Sequence, residues 1–383
     1  MFDFLKKKET QEQRKADPSW AAVAMSMGKG GWIDPRKAEG LSTVTACVNA
    51  ISSAIASLPA TVYRTRGGVK TEAPDHALAK LIANGVTENA SWHDLVESMV
   101  ADALLYGNAL CEIRTATNGS LDGLYYIPWQ WVTPVYLGNG RLAFDVSYSY
   151  NVGNVPVGER KRLLSGDVLH LKDRSDDGLL GRSRLERCAP VIRAAESLFE
   201  FTANLYKTGM FPSGAIEYSG QMTDGTRALL RQQLDAMYQG QANAGKALIL
   251  SDGLSWKPLQ MNAEQSELLT SRRFATEEIC RCFGVPPQVV GDLSDSSYNV
   301  ASEMFAAYRQ QALLPWVNKL QSLFNRGLLG RAYSLELDLS TIEKADVKRR
   351  WDTYKIAVDA GILTVDEIRD LEGYNPQHLP TDG

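Results

Sequence analysis

The stretch RLERCAPVIRAAESLFEFTANLYK, from Arg184 to Lys207, decides how this chain is organised. Cys188, Ile192, Ala195, Phe199, Thr202 and Tyr206 recur at steps of four and three, and Val191, Leu198 and Leu205 form a heptad-spaced neighbour. That spacing predicts a long amphipathic helix. A second long helix is expected from about Ala263 to Phe283, stopping before Pro286-Pro287, because proline cannot continue it. Between the two lies a compact insertion. It reads as a strand at Gly214–Tyr218 and a helix at Thr226–Tyr238 with Leu229, Leu230, Leu234 and Met237 on one face. A hairpin of Lys246–Leu250 and Leu254–Gln260 follows, around Asp252-Gly253.

Working outward toward the N-terminus, residues 1–40 mix Lys, Glu, Gln and Gly and read as a mobile arm. Val44, Val48, Ile51, Ile55 and Leu58 then mark a helix over about 42–57, running into a strand at Thr61–Arg64 and a Gly67-Gly68 turn. Residues 91–106 form another helix with Ser91 as its N-cap. From Asn108 to Leu171 strands alternate with turns: Ala109–Arg114, Gly123–Ile127, Val132–Leu137, Leu142–Tyr150 and Val168–Leu171. Asn118-Gly119 and Asn139-Gly140 are hairpin signals. Toward the C-terminus a Gly/Asp/Ser loop precedes a long helix from Tyr298 to Leu329. Pro315 inside it predicts a kink one turn earlier. A helix at 345–359 stops at Gly361, and Thr364 with Glu367 forms a capping box for a last helix. The fold class is α+β.

Composition excludes several function classes. The chain has 383 residues, 44% hydrophobic and 22% charged, which fits neither disorder nor a fibrous repeat. Lys plus Arg is 41 and Asp plus Glu is 45, a net charge of −4. A protein that grips nucleic acid over a broad face carries a basic excess, which is absent here. The longest uncharged stretch, Leu41 to Tyr63, is broken by Ser, Thr and Asn and reads as a core helix, so no membrane partner is expected. The N-terminal apolar run is too short for a signal peptide. Five scattered cysteines read as reduced thiols. Cys280 and Cys282 stand at i and i+2, positions that do not face each other on a helix.

No constellation for chemistry emerges. Gly240 to Lys246 matches GxxxxGK of a phosphate-binding loop, but Ala247 replaces the metal-ligating hydroxyl, and a helix precedes where a strand is required. His170 reads as a strand residue with a satisfied ring, and Asp176-Asp177 before Gly178 as a turn. No catalytic residue, cofactor or metal is therefore expected. One interval stands out: between Arg281 and Arg309 there is no Lys or Arg, while Asp292, Asp295 and Glu303 occur. It reads either as a solvated acidic loop or as a surface that passes a polyanion without holding it.

Several separated segments resemble one family, the HK97-type tailed-bacteriophage portal proteins, or head–tail connectors. They are Val44–Ile51 with Ala56-Ser57-Leu58-Pro59; Leu104–Ala109 with Glu112-Ile113; Asp167–Leu171 with Asp177–Ser183; Phe283–Pro287 with Gly291, Tyr298-Asn299-Val300 and Leu314-Pro315-Trp316; and Gly361–Thr364 with Glu367-Ile368-Arg369. The resemblance spans about 41 to 376 in order. It implies a portal fold: an N-terminal arm (1–40), an α+β wing (41–183), stem helix 1 (184–210), a small α/β clip (211–261), stem helix 2 (262–287), a tunnel loop (288–298), a kinked long helix returning to the wing (299–344) and a short helical crown (345–383).

The same resemblance implies a homo-oligomeric ring, usually a dodecamer, at one capsid vertex of the virion, assembled in the host cytoplasm. Double-stranded DNA would pass through its channel during genome packaging and ejection. The terminase large subunit, head–tail adaptor proteins and the major capsid protein would be its partners. Gly291, Asp292, Ser294, Asp295, Ser296, Tyr298 and Asn299 would face the channel. Asp224, Arg227, Arg231, Gln232, Asp235 and Asp252 of the clip would face the terminase or adaptor, and Arg272, Arg273, Glu277 and Arg281 would belong to the stem. The alternatives are a monomeric virion structural or adaptor protein, and a nucleotide-dependent motor using the Gly240–Lys246 loop.

Overall fold

A computed structural model describes residues 33–117, 119–138, 140–149, 155–208, 214–218, 225, 232, 254–258, 262–292, 304–340, 347–372 and 374. The chain enters through α1 (Pro35–Glu39), which Asp34 caps through the Arg36 N–H. Ala38 is fully buried, so the arm expected over residues 1–40 is already packed helix by Pro35. Helix α2 (Ser42–Ala56) buries Val44, Cys47, Val48, Ile51 and Ile55, the stripe its spacing predicts.

Strand β1 (Ala60–Arg66) turns at Gly67-Gly68, both at positive φ, into β2 (Val69–Glu72). After α3 (Ala77–Asn84), helix α4 (Trp92–Tyr106) starts in a capping box of Ser91 with Asp94. Four strands follow: β3 (Asn108–Thr115), β4 (Leu121–Ile127), β5 (Val132–Tyr136) and β6 (Leu142–Ser147). Then come β7 (Arg160–Leu164), β8 (Val168–Lys172) and a short pair, β9 (Arg174–Ser175) with β10 (Gly181–Arg182). These strands form two three-stranded sheets, ordered β4-β3-β8 and β5-β6-β7, all antiparallel. Strand alternation places β3 between two cores: Ala109 and Cys111 face the main one, Leu110 the smaller one under β5–β7.

The first long helix is interrupted. Helix α5 (Arg184–Arg187) ends at Cys188, and α6 (Ala189–Thr208) continues. Strands β11 (Gly214–Tyr218) and β12 (Leu254–Pro258) pair antiparallel and frame the insertion. The expected helix at Thr226–Tyr238, the strand at Lys246–Leu250, the Asp252-Gly253 turn and the Gly240–Lys246 loop lie outside the described residues, apart from Gln232, which is exposed. The second long helix, α7 (Asn262–Phe283), matches its expected span to within one residue.

The Pro315 helix is described from residue 304. The chain is helical over 304–308, widens to a π turn at Arg309–Leu313 and continues as α8 (Leu314–Gly327). The expected kink takes this form because Pro315 has no N–H for a regular turn. Strand β13 (Tyr333–Leu337) then returns to pair with β1, Val62 opposite Leu335. Finally α9 (Val347–Asp359) and α10 (Val365–Leu371) are joined through Gly361 at φ 69°. Thr364 and Glu367 form the predicted box, with Glu367 Oε2 accepting the Thr364 N–H at 2.7 Å.

Candidate functional site

Both long helices root in one place. Asp173, 8% exposed at the end of β8, faces Arg184 Nε at 3.2 Å, Arg187 Nη2 at 2.6 Å and Lys319 Nζ at 3.6 Å. One carboxylate thus ties the body to the start of the first long helix and to α8. Arg184 also donates to the Phe283 carbonyl at the end of α7. Trp316 lies beneath two of these cations, its ring 4.7 Å from Lys319 Nζ and 5.7 Å from the Arg184 guanidinium. Burial lowers the Lys319 pKa, and Asp173 opposes that shift.

Beside this knot the chain crosses itself backbone on backbone. Gly107 ends α4 at φ 81°. A Cβ there would sit 2.6 Å from Arg182 C and 2.7 Å from Gly181 O, and a Cβ on Gly181 would fall onto the Gly107 carbonyl. Asn108 locks the crossing. Its Oδ1 accepts the Gly181 N–H at 2.8 Å and its Nδ2 donates to the Gly181 carbonyl at 2.8 Å. His170 Nε2 lies 2.9 Å from the same Oδ1, and its ring stacks on Trp129 at 5.7 Å between centroids. Burial pushes the His170 pKa down to about 3, so the ring is neutral and its Nε2–H donates. This is the satisfied strand histidine expected from the sequence. Asp177 likewise makes the expected turn, accepting the Leu179 and Leu180 N–H groups at 2.7 and 3.0 Å.

The cysteines of α7 point to opposite sides, as i and i+2 require. Cys280 Sγ lies 3.9 Å from Cys47 Sγ on α2, both buried, while Cys282 is half-buried. Helix α7 closes in a Schellman motif. Gly284 at φ 70° donates to Arg281 O, and Val285 donates to Cys280 O at 3.0 Å, with Val285 and Cys280 both buried. Pro286 and Pro287 then direct the chain into a 3₁₀ turn, Pro287–Val290, ending at Gly291 with φ 97°.

Of the residues expected to face a channel, Gly291 is exposed and Asp292 half-buried, with Oδ1 3.9 Å from Arg273 Nη2 of α7. The acidic interval therefore begins with a carboxylate already facing a cation. Ser294, Asp295, Ser296, Tyr298 and Asn299 lie outside the described residues, as do Asp224, Arg227, Arg231, Asp235 and Asp252. Arg272 and Arg273 are exposed. Arg281 pairs along its own helix with Glu277 at 3.0 Å and with Glu278. Such exposed pairs contribute about 0.5 kcal/mol or less each. Sequence reasoning missed Asp173, Asn108, Lys319 and the pairing of cysteines across elements. The only signal for any of them was that Asn108, Gly181, Phe283 and Trp316 stand inside the family-like segments.

The described residues thus form a body of antiparallel sheets and helices that carries two long helices and a strand-framed insertion. The chain belongs to the phage portal protein family, whose profile matches residues 42–373. It is 25% identical over 378 residues to the probable portal protein of Streptomyces phage phiC31, covering 94% of this chain and 80% of that protein. To the portal protein of Enterobacteria phage HK97 it is 24% identical over 347 residues, covering 88% of this chain and 79% of that one. Its fold is similar to a chain in the neck of a native gene transfer agent particle computed with C12 symmetry. The TM-score is 0.60 at 23% identity, covering 93% of this chain and 99% of that one. The HK97-type resemblance and the α+β portal fold expected from sequence are thus met.

Proposed function

We propose that this chain is the subunit of a ring, twelve copies in the particle, that forms the channel for a double-stranded genome at one capsid vertex. The observation that carries this reading is an uncovered apolar surface on the two long helices. Phe199 and Phe201 on α6 and Phe274 on α7 are 53%, 58% and 58% exposed. Large side chains on an otherwise well-packed chain are covered by a partner. In a cyclic ring the partner is the next copy, met by a different patch. The C12 symmetry of the similar neck structure supports twelve copies.

In this reading α6 and α7 are the stem, the segment between them the clip, and residues 288–298 the tunnel loop. The terminase large subunit and the head–tail adaptors dock on the clip, the major capsid protein surrounds the wing, and α9 with α10 form a short crown. The ring is assembled in the host cytoplasm and resides in the virion. It does no chemistry itself; hydrolysis belongs to the terminase. Its part is mechanical. Basic side chains near the loop are matched by carboxylates, Arg273 by Asp292 and Arg281 by Glu277, so few phosphate counterions would be displaced and DNA slides without being gripped.

Electron imaging of the purified chain with symmetry counting tests the reading. A ring with a central hole is expected. A chain that remains monomeric by light scattering under all assembly conditions would overturn it.

A further inference from the structure

The body of the chain holds a cavity apart from the long helices and the loop that follows them. It measures about 590 Å³ and lies where the β5-β6-β7 sheet meets β8 and the end of α8. That volume falls within the range of small-molecule sites, which are mostly apolar with a few placed polar groups. Phe144 on β6 and Val168 and Leu169 on β8 line it and are buried. Leu179, in the turn between β9 and β10, and Leu323 on α8 line it half-buried. Gly327 keeps the wall thin, since a Cβ there would run into the Leu169 side chain.

Three cations from three elements border this apolar space: Arg141 in the turn before β6, Lys172 at the end of β8 and Arg326 near the end of α8. Lys172 Nζ donates to the Gly178 carbonyl, and Arg326 Nε to the Ser322 carbonyl at 3.3 Å. Among the described residues neither forms an ion pair with a carboxylate, unlike Arg273 and Arg281 of α7. Asp177 is the nearest counter-charge felt by Lys172, and its own turn already occupies it through the Leu179 and Leu180 N–H groups. Burial lowers the Lys172 pKa, Asp177 opposes that shift, and repulsion from Arg326 adds to it.

We propose that this cavity binds a small organic anion, a carboxylate or phosphate carried on an apolar body. Lys172 and Arg326, with Arg141 beside them, hold the charge, and Leu179 and Leu323 cover the body. The anion removes the repulsion between the two cations. The apolar lining selects against a bare inorganic ion, which would leave those walls wet. The site lies within one chain and needs no ring.

The test uses the purified full-length chain and 4-benzoylbenzoate, an aromatic carboxylate that cross-links to nearby C–H bonds under near-ultraviolet light, followed by peptide mass mapping. The label should fall on Leu179 or Leu323. Arg326→Glu should weaken saturation of that label at least about tenfold, while Arg326→Lys keeps it within about threefold. Arg326 is exposed, so both variants should fold, and circular dichroism checks it. Protection by octanoate would assign the body to an aliphatic chain, and protection by adenosine monophosphate to a nucleoside. The proposal is overturned if neither protects, if uncharged 4-methylbenzophenone labels the same residues equally well, if Arg326→Glu labels as the unaltered chain does, or if the label falls instead on Phe199 or Phe274. Labelling of a monomer would still support the site, so its failure and that of the portal reading are distinguishable.

Discussion

Replacing Asp173 by Ala tests the knot that joins the body to the long helices. The carboxylate is 8% exposed and holds three cations within 3.6 Å. Without it Arg184, Arg187 and Lys319 face one another with no counter-charge. Removing one partner of a buried ion pair costs about 3–5 kcal/mol. Here the cations keep 17%, 28% and 38% of their side-chain surface in water, so screening reduces the expected loss to about 2–4 kcal/mol. With a urea slope of about 3 kcal/mol/M, the midpoint should fall by roughly 1 M with the slope unchanged. The measurement is urea unfolding followed by far-ultraviolet circular dichroism, at a concentration giving one assembly state. Adding Lys319→Met should recover about 1–2 kcal/mol, because it removes one of the opposed cations. An Asp173→Ala loss below about 0.5 kcal/mol would refute the reasoning. So would Lys319→Met alone costing as much as Asp173→Ala, which would place the stability in packing on Trp316.

Gly181→Ala should cost about 3 kcal/mol or more, since overpacking here pushes backbone onto backbone, and a thermal melt would register it. Asp102, buried and accepting from Tyr126 and Trp129, has its pKa raised by desolvation from 3.8 to about 6. The folded chain therefore holds this proton more tightly than the unfolded one. That stabilisation is complete at low pH and is lost as pH rises from 3.8 to about 6, a change of about 3 kcal/mol. Asp102→Asn keeps an acceptor for both donors, so it should flatten stability across that window; an unchanged pH slope would show that another group titrates there. Phe199→Ser with Phe274→Ser should leave subunit stability within about 0.5 kcal/mol yet reduce ring yield in negative-stain images. Normal rings would mean these side chains face away from the subunit interface.

What could be read from the sequence was local. Helix α4 begins at Ser91 and ends at Gly107 because a capping box and a left-handed glycine are chemistry within a few residues. The same holds for Thr364 with Glu367, and for the stop of α7 before Pro286. The site was legible only as a set of segments, because its bonds join distant positions. Asn108 meets Gly181 73 residues away, and Cys47 meets Cys280 across 233. No periodicity encodes such a meeting. The break at Cys188 was hidden for a related reason: the apolar stripe begins at Cys188 itself and carries no sign of a break, which only the packing of α5 onto the body reveals. The β1–β13 pairing was likewise beyond a local reading, since β13 is short and its partner lies near the start of the chain.

The wide turn at Arg309–Leu313 has a consequence for chain length. Each residue of a regular helix advances the face by about 100°. Tyr308 reaches the Ala50 carbonyl at 2.7 Å on one side of the turn, and Trp316 is buried on the other. The π turn carries one residue more than an α-helical path between those two anchors. Deleting Gln311 would keep both anchors on their faces but force Pro315, which has no N–H, into a regular turn, so the melting temperature should fall; an unchanged melting temperature would show that the turn does not exist to accommodate Pro315. Along α8 itself the same deletion would rotate Leu320 and Phe324 out of the core. A one-residue deletion at the π turn thus preserves the faces on both sides of it, whereas one within α8 does not.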